Sequence, residues 1–415
     1  MWLVYAGAWS FVGALSWTTA AVYLIRDIGM SPLQLVLAGT ALEVAYFLCE
    51  VPTGVLADLY SRRLSLIVSA VVSGVGMVLV GLAPSPTAVL LAMALWGLGW
   101  TFRSGAEDAW LADEVGEERL ARAYQRGAQV ERLTGLAGIG TAVALAMVAL
   151  WLPFVAAGCV TGLLSIVLAV AMPEHGFVRP EKRGGVAATM GAARATVTAG
   201  RRVVLAHPIL LLILAIAFVT GAWSEGWDRL WEAHLLVDVG LPRLFGLDDV
   251  AWFGVLAAGG LVLSFVVAAP LINRLERLPA MALPKLLLGL NAVLIVAALG
   301  FALSRQLWPT IACYWLTSVL RSLADAPYRT WLNTSITDSS VRATVLSITN
   351  LAGSAGEWAG GPTLGWVGTR WSVRAALAVG AIALSPVLVL FGRAATSHRG
   401  PALVIPGTTQ PSTER

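Results

Sequence analysis

The sequence contains little charge and little cysteine. Of its 415 residues only 13% are charged, 2 of the 28 basic residues are lysines, and there are 3 cysteines. Soluble proteins typically contain about 25% charged residues, and 58% hydrophobic residues exclude a disordered chain. Three cysteines exclude a secreted domain that is held together by several disulfides. The net charge of +4 is not gathered into a dense basic stripe, which argues against a nucleic-acid partner.

Motifs for nucleotide and metal chemistry are also missing. The sequence has no Gly-x-x-x-x-Gly-Lys-Ser/Thr loop to hold a nucleotide phosphate and no His-Glu-x-x-His zinc motif. The 4 histidines form no cluster with the spacing of metal ligands. We therefore expect no cofactor, no metal site and no enzymatic activity.

Long apolar segments are what the sequence does contain. A helix needs about 20 mostly apolar residues to cross the hydrocarbon of a bilayer, because its backbone polar groups must pair within the segment. The sequence predicts twelve spans, numbered 1 to 12, at residues 2–25, 33–57, 64–83, 87–111, 128–149, 151–172, 207–236, 251–272, 283–303, 308–332, 343–367 and 373–393. The expected fold class is an all-α integral membrane protein with twelve transmembrane helices.

The basic residues predict the orientation of these spans. Span 1 lacks the basic start and the small-residue cleavage site of a signal peptide. If the N-terminus is cytoplasmic, eighteen Lys and Arg residues fall in cytoplasmic segments and five fall in external loops. Cytoplasmic loops of membrane proteins are enriched in Lys and Arg. We therefore expect a multi-pass protein of the cell (plasma) membrane with both termini in the cytoplasm.

The two halves of the sequence resemble each other at a nearly constant offset. The matches are Gly-Ala-Trp-Ser at 7–10 and 221–224, Trp17 and Trp231, Trp-Leu at 110–111 and 331–332, and Leu-Ala-Gly at 136–138 and 351–353. Because the matches occur in the same order across six spans, they indicate two copies of a six-helix unit in parallel orientation.

A short motif follows span 2: Gly54-Val-Leu-Ala-Asp58-Leu-Tyr-Ser-Arg62-Arg63. Together with the spans and the duplication, it resembles the loop 2–3 signature Gly-x-x-x-Asp-x-x-x-Arg-Arg/Lys of the major facilitator superfamily of transporters. The resemblance implies two pseudo-symmetric six-helix bundles with a substrate site between them near the midplane. The expected domains are an N-terminal bundle at 1–172, a cytoplasmic linker with an amphipathic helix at 173–206, a C-terminal bundle at 207–395 and a disordered cytoplasmic tail at 396–415.

The same motif predicts a cytoplasmic gate. We expect Gly54 to allow close approach of helices, and Asp58 lies within i,i+4 reach of Arg62, beside Arg63. The resemblance implies that the Asp faces the start of span 11 and that the Arg lies near an acid that ends span 4, which here is Asp113. The alternative is that these charges only set the topology.

Fifteen charged residues lie inside the predicted spans, not counting Lys285, Arg374 and Arg393 at the span ends, and each costs at least about 2.5–3.5 kcal/mol on insertion scales. Such residues usually face the interior of a bundle or a watery cavity. Several share one helical face in span 7, in span 10 and in span 4. The resemblance implies that spans 1, 4, 7 and 10 line the central cavity, so these faces point to a single site.

The expected site has two sets of residues. The proton and substrate cavity comprises Glu43, Arg103, Glu107, Asp108, Glu225, Asp228, Arg229, Glu232, Arg321, Asp325, Arg329 and Glu357. Its expected aromatic lining is Trp9, Trp17, Trp223, Trp227 and Tyr328. An alternative interpretation is that some charges only neutralise one another: Arg103 with Glu107, Asp325 with Arg329, and, in the group Asp228, Arg229 and Glu232, the arginine with an acid.

Two acids stand apart from these pairs. Glu43 and Glu357 lie near the middle of spans 2 and 11 with no cation within one turn on their own helix. Spans 2 and 11 flank the interface between the halves in the family fold, so we expect these carboxyls to take part in proton coupling.

The sequence favours a secondary active transporter that exports small amphipathic compounds by proton-coupled antiport. Its expected partners are the lipid bilayer, a small-molecule substrate and protons, and we expect it to act as a monomer. The Gly361-Pro362 pair in span 11 is similar to a motif of drug/proton antiporters, although those proteins carry it in helix 5. Four cavity arginines would equally suit proton-coupled uptake of an organic anion or zwitterion. A polytopic membrane enzyme or receptor is the alternative from a different class.

Overall fold

The computed structural model describes residues 1–177, 208–243, 248–268, 271, 278–336 and 339–397. Every regular element among them is a helix, so the predicted all-α class is confirmed. The expected amphipathic helix, which we place at residues 186–205, and the tail from residue 398 lie outside the described residues.

The N-terminal half contains eight helices. They are α1 Trp2–Trp17, α2 Ala20–Arg26, α3 Pro32–Leu59, α4 Arg62–Gly81, α5 Pro86–Thr101, α6 Ala106–Val115, α7 Glu117–Ala146 and α8 Leu152–Ala171. Predicted spans 1, 4 and 12 are each divided into two helices, at residues 18–19, 102–105 and 384–385. The second break includes Gly105 at φ 74°, a left-handed conformation that favours glycine.

The described residues of the C-terminal half form seven α-helices of more than ten residues. They are α9 Pro208–His234, α10 Ala251–Leu263, α11 Leu283–Leu303, α12 Leu307–Ser335, α13 Ser339–Arg370, α14 Val373–Ala383 and α15 Pro386–Ser397. Short π-helical turns extend α9 over Leu235–Val239 and α10 over Ser264–Ala268.

Seven helical stretches of the described chain are long and apolar enough to cross a membrane. They are Trp2–Arg26, Pro32–Glu50, Arg62–Gly81, Leu152–Ala171, Pro208–Val239, Leu283–Leu303 and Val373–Thr396. Helices α5 and α10 have only 16 and 13 residues, and α7 and α12 contain charged residues. The chain is therefore a multi-pass membrane protein. Each of the twelve predicted spans contains at least one helix, and the count of twelve membrane crossings stays a prediction.

Helix packing repeats between the two halves. Helix α1 packs on α7 as α9 packs on α13, α3 packs on α5 as α10 packs on α12, and α4 packs on α8 as α11 packs on α14 and α15. The repeated Gly7 and Gly221 lie at equivalent crossings. A Cβ atom added to Gly7 would lie 2.8 Å from Val130 of α7, and one added to Gly221 would lie 2.2 Å from the carbonyl oxygen of Gly353 of α13.

Repeated aromatic residues are also placed equivalently. Trp17 stacks on Trp96 of α5 with ring centroids 5.1 Å apart, and Trp231 stacks on Tyr314 of α12 at 4.3 Å. The sequence duplication is therefore also present in the packing of the described helices.

The two halves meet along α3 with α13, α3 with α9, and α7 with α10. We call the end of the bundle between Leu59 of α3 and Arg62 of α4 the motif end. The other end, between Arg26 of α2 and Pro32 of α3, is the opposite end. This arrangement places the charged face of α9 beside the interface between the halves.

Candidate functional site

A buried ion-pair cluster lies where α9 of the C-terminal half faces α3 of the N-terminal half. Arg229 Nε donates to Glu225 Oε1 at 3.0 Å, one turn earlier on α9, and Arg229 Nη2 lies 4.0 Å from Glu43 Oε1 on α3. Glu225 is only 4% exposed. Glu357 of α13 brings a third carboxyl next to Glu43. One guanidinium therefore serves three carboxyl groups that come from both halves; we call these four residues the interface cluster.

Two glycines make room for the interface cluster. A Cβ atom at Gly39 of α3 would lie 2.2 Å from both Arg229 Nε and Glu225 Oε1, and one at Gly361 of α13 would lie 2.7 Å from Glu225 Cγ. The Arg229 guanidinium also lies over the ring of Trp17, 5.1 Å from its centroid, a distance typical of a cation–π contact. The cluster thus depends on small residues from two helices and on an aromatic residue from a third.

A second ion pair joins α9 to α12. Arg321 donates to Asp228 with both terminal nitrogens, at 2.5 and 2.9 Å, and its guanidinium lies 5.3 Å from the ring centroid of Trp223. The alternative interpretation, in which Asp228 is neutralised by Arg229 on its own helix, is wrong. Adjacent residues point to different sides of a helix, and the planar guanidinium of Arg321 reaches both carboxylate oxygens from α12.

The N-terminal half contains a related arrangement. Arg103 pairs with Glu107, which also accepts a hydrogen bond from the Tyr5 hydroxyl at 3.2 Å. The Arg103 guanidinium lies 4.9 Å from the ring centroid of Trp9. Trp9 and Trp223 are the duplicated tryptophans, so each half places an arginine over the same repeated aromatic position.

Glu232 makes a contact across the interface that no sequence pattern predicted. Its carboxylate accepts the backbone N–H of Ala21 at 3.2 Å. That N–H has no partner within its own helix, because α2 begins at Ala20 and the first N–H groups of a helix are unpaired. Glu232 of the C-terminal half therefore compensates for the break in span 1.

Further polar contacts join the two halves at the opposite end. Both terminal nitrogens of Arg26 donate to Asp249, one of them at 3.0 Å, and the Leu33 N–H donates to Thr369 Oγ1 at 2.9 Å. The Arg26 guanidinium lowers the pKa of the Asp249 carboxyl, which lies in the loop before α10. Sequence reasoning missed Asp249, because a loop acid 223 positions from its partner gives no local signal.

Three expected cavity residues lie elsewhere. Asp108 is exposed and accepts the Tyr124 hydroxyl of α7 at 2.7 Å. Trp227 is 3% exposed and packs against Phe301 of α11, because its side of α9 faces the core of the C-terminal half. Arg329 lines neither of the cavities described below; its side chain is 74% exposed and pairs at 3.0 Å with Asp325 of the second cavity.

The gate motif forms one of its expected contacts. Arg62, at the start of α4, pairs with Asp113 near the end of α6. Among the described residues nothing lies within 4 Å of a Cβ atom built at Gly54, so its expected role in close helix approach stays a prediction. The side chain of Asp58 lies outside the described residues.

Sequence reasoning also missed Glu174, which lies at the motif end. It accepts the Ser61 hydroxyl at 2.8 Å and the Arg63 backbone N–H at 2.9 Å, which fixes the start of α4. The Arg63 side chain donates to the carbonyl of Ala169 in α8. These contacts hold the start of α4 against the end of α8 and the residues that follow it.

Two cavities flank the Arg321–Asp228 pair. The first, of about 440 Å³, lies between the halves and is lined in part by Trp17, Asp228, Arg229 and Glu232. The second, of about 460 Å³, lies within the C-terminal half among α9, α11, α12 and α13 and is lined in part by Arg321. Both volumes fall in the range of about 300–1,000 Å³ that small-molecule sites occupy. Among the described residues no group of His, Cys, Asp and Glu is arranged to hold a metal ion.

The second cavity includes a residue that the sequence reasoning overlooked. Asn291 of α11 is 8% exposed and donates from Nδ2 to the Leu287 carbonyl at 2.8 Å. A lone amide in the middle of a span whose one charged residue, Lys285, lies near its end was the signal that could have identified it.

Comparison with known proteins gives consistent results. The sequence model described as Major Facilitator Superfamily matches residues 1–360. The MFS-type transporter YxaM of Bacillus subtilis strain 168 is 23% identical over 367 residues, which are 86% of each chain.

Solved structures with the same fold include several transporters. A bacterial homologue of the human lysosomal transporter Spinster, in an inward-facing conformation, matches with a TM-score of 0.70 and 17% identity over 95% of this chain and 94% of that one. The nucleoside transporter NupG matches with a TM-score of 0.74 and 10% identity over 95% and 97%. The peptide transporter POT matches with a TM-score of 0.71 and 16% identity over 95% and 94%. At these identities the likeness shows the fold alone.

Proposed function

This chain belongs to the Major Facilitator Superfamily and is a membrane transporter of that type, and we propose that it is a secondary active transporter coupled to protons. Two six-helix bundles rock about the substrate site and open it alternately to each side of the membrane. The protein lies in the plasma membrane with both termini in the cytoplasm and acts as a monomer.

The interface cluster carries this proposal. Glu43 of the N-terminal half and Glu225 and Glu357 of the C-terminal half share Arg229, the one guanidinium of the cluster. With all four groups ionised the cluster would hold two uncompensated negative charges, which are costly to bury in a membrane. Proton binding removes this charge, and rocking of the halves changes the distance between Glu43 and Arg229. Proton occupancy and conformation are coupled in this way.

We propose export of small amphipathic compounds as the direction of transport. The first cavity combines apolar side chains such as Met93 and Leu35 with the aromatic rings of Trp17 and Trp231 and with the carboxylate of Glu232. Apolar walls with a few placed polar groups are typical of sites for such ligands.

The pairing of the arginines argues against uptake of an organic anion. Arg103, Arg229, Arg321 and Arg329 each pair with a carboxylate, on Glu107, Glu225, Asp228 and Asp325 respectively. An anionic substrate would have to displace one of these internal partners.

Transport in proteoliposomes under an imposed pH gradient tests the proposal. The wild-type protein should move amphipathic compounds against their gradient while protons move in the other direction. Glu43→Gln and Glu357→Gln should slow this flux at least about tenfold, because removing one titratable group removes a proton-binding step. Exchange of labelled for unlabelled substrate without a pH gradient should continue.

Glu50→Gln is the matched control. Glu50 lies two turns from Glu43 on the same helix and accepts the Tyr46 hydroxyl at 2.7 Å within the N-terminal half. It should transport normally. Unchanged pH dependence in both cluster variants would contradict proton coupling at this cluster.

A further inference from the structure

The second cavity differs from the first in the chemistry of its walls. It lies inside the C-terminal half, and its lining includes five neutral polar side chains on four helices: Thr220, Asn291, Tyr328, Asn350 and Ser354. Hydroxyl and amide groups of this kind both donate and accept hydrogen bonds. The cavity therefore offers a dense set of neutral hydrogen-bonding groups.

The charged groups at this cavity already have partners within the protein. Arg321 holds Asp228 through two hydrogen bonds, and Asp325 pairs with Arg329. Glu357 belongs to the interface cluster through its contact with Glu43. A charged ligand would have to break one of these pairs, whereas a neutral ligand would leave them intact.

Two polar side chains in the cavity have unused hydrogen-bonding capacity. The Tyr328 hydroxyl is buried and has no hydrogen-bond partner among the described residues. A buried hydroxyl without a partner costs free energy. Asn291 uses one N–H on the Leu287 carbonyl, and an amide can make up to four hydrogen bonds. Both groups can pair with hydroxyls of a bound ligand.

Aromatic surface lies beside these polar groups. Trp223 and Phe391 line the same cavity, and Arg321 already covers one side of the Trp223 ring. Aromatic side chains bury large apolar areas and suit ring-shaped apolar groups. The cavity thus combines a polar, hydroxyl-binding part with an aromatic part.

We propose that the second cavity is a substrate site for a neutral, hydroxyl-rich head group that carries an apolar substituent, the chemistry of a small glycoside. This inference rests on the proposed transport function, because it adds a second site, on the other side of the Arg321–Asp228 pair from the first cavity, for the compounds that the transporter moves. The hydroxyls pair with Tyr328 and Asn291, and the apolar substituent packs on Trp223.

Three probes with the same ring and different head groups test this inference. They are phenyl β-glucoside, phenyltrimethylammonium and phenylacetate, which are neutral, cationic and anionic. Equilibrium dialysis of each labelled compound is carried out with the purified full chain in lipid nanodiscs. The glucoside should bind at least about tenfold more tightly than either ion. Equal or tighter binding of either ion, or no measurable binding of the glucoside, would overturn the proposal.

Matched variants place the probe in the cavity. Tyr328→Phe removes only a hydroxyl and should weaken glucoside binding about five- to tenfold, as expected for one lost hydrogen bond. Tyr314→Phe removes a hydroxyl from the same helix at a position that does not line this cavity, and it should leave binding unchanged. Equal affinity of the Tyr328 variant and the wild type would place the probe elsewhere and refute this site.

Failure of this inference can be told apart from failure of the proposed function. If a pH gradient drives phenyltrimethylammonium flux while the glucoside does not bind, transport stands and the head-group assignment is wrong. If the glucoside binds and Tyr328→Phe weakens it while no gradient drives its flux, the site stands and proton coupling is wrong.

Discussion

A single glycine decides whether the interface cluster can form. Gly39 lies on α3 directly against Arg229 and Glu225, where a side chain would occupy the space of the ion pair. Charges inside a membrane persist when they are paired and face the bundle interior. The residue without a side chain is therefore as much a part of this site as the residues with charges.

We predict that Gly39→Ala abolishes most transport while the protein still folds. The new methyl group would overlap Arg229 Nε and Glu225 Oε1, each 2.2 Å away, and would separate the guanidinium from its carboxylate. Overpacking of this kind costs about 1–3 kcal/mol. Flux in proteoliposomes should fall at least about tenfold, and the melting temperature in detergent should fall by a few degrees.

Gly13→Ala on α1 provides the control for that variant. Among the described residues nothing lies within 4 Å of a Cβ atom at Gly13, and alanine favours a helix over glycine. Its flux should match the wild type. If Gly39→Ala also transports normally, the close packing of α3 on the ion pair has no functional consequence.

Sequence reasoning identified the charged residues at this scale but not their partners. Helical spacing places Arg229 within reach of Glu225, and that pair forms. The same spacing places Arg321 within reach of Asp325, yet Arg321 pairs with Asp228 of another helix. The spacing of charged residues along a helix predicts possible partners on that helix only. Which partner a charged residue binds is determined by how the helices pack against each other.

At the scale of helices, one ion pair connects α9 to α12. An aromatic stack between Trp231 of α9 and Tyr314 of α12 also joins these two helices, and the N-terminal half contains the equivalent stack. The bidentate contact of Arg321 with Asp228 adds a polar connection at a different height. The Arg321 and Asp228 side chains are 34% and 44% exposed, so solvent weakens the electrostatic attraction between them. The bidentate geometry of the contact then contributes most of the stability of the ion pair.

We predict that exchanging the two charges preserves this connection. Asp228→Arg or Arg321→Asp alone places like charges side by side and should lower the melting temperature by about 1 °C, as a loss of about 1 kcal/mol does in a chain of 415 residues. The double variant restores an ion pair and should recover at least half of that loss. A double-variant loss equal to the sum of the single losses would show that the two side chains do not interact.

Helix-scale features were the easiest to predict from the sequence. The offset of 214 residues between Gly7 and Gly221 indicated a duplicated helix, and both glycines lie at equivalent crossings. The breaks in spans 1 and 4 were not predicted. The break in span 1 carries no proline or glycine at residues 18–19, which are both threonine. It is accommodated by Glu232 from the other half, and such a distant partner leaves no local pattern.

At the scale of the whole molecule, polar contacts join the halves at the opposite end and at the level of the interface cluster. Among the described residues, three contacts of this kind lie near the opposite end: Arg26 with Asp249, Leu33 with Thr369, and Ala21 with Glu232. In all three the donor belongs to the N-terminal half and the acceptor to the C-terminal half. Alternating access requires that these contacts break together when that end opens.

The contact between Arg26 and Asp249 gives a prediction about the equilibrium between the two open states. We expect Asp249→Asn to shift the protein toward the state that is open at the opposite end, because the ion pair stabilises closure there. Spin labels at Thr87→Cys and Arg305→Cys, in a background without the three native cysteines, report the distance between the halves at that end. The distance distribution should gain a longer component in the Asp249 variant, and Arg26→Gln should produce the same change.

Acid should reproduce the effect of that substitution in the wild-type protein. Since the pKa of Asp249 is lowered by Arg26, the closed end is stabilised above the ordinary Asp pKa of about 3.9. That stabilisation is lost as the pH falls through the lower value in the folded protein. The longer distance should therefore remain rare between about pH 5 and 8 and grow only in stronger acid, with no further growth in Asp249→Asn. A lengthening near pH 7 that survives in Asp249→Asn would assign the opening to the interface cluster or to Glu232. In that case the membrane-embedded carboxyls would bind protons at a higher pH than Asp249 does, and their protonation would open the end of the bundle.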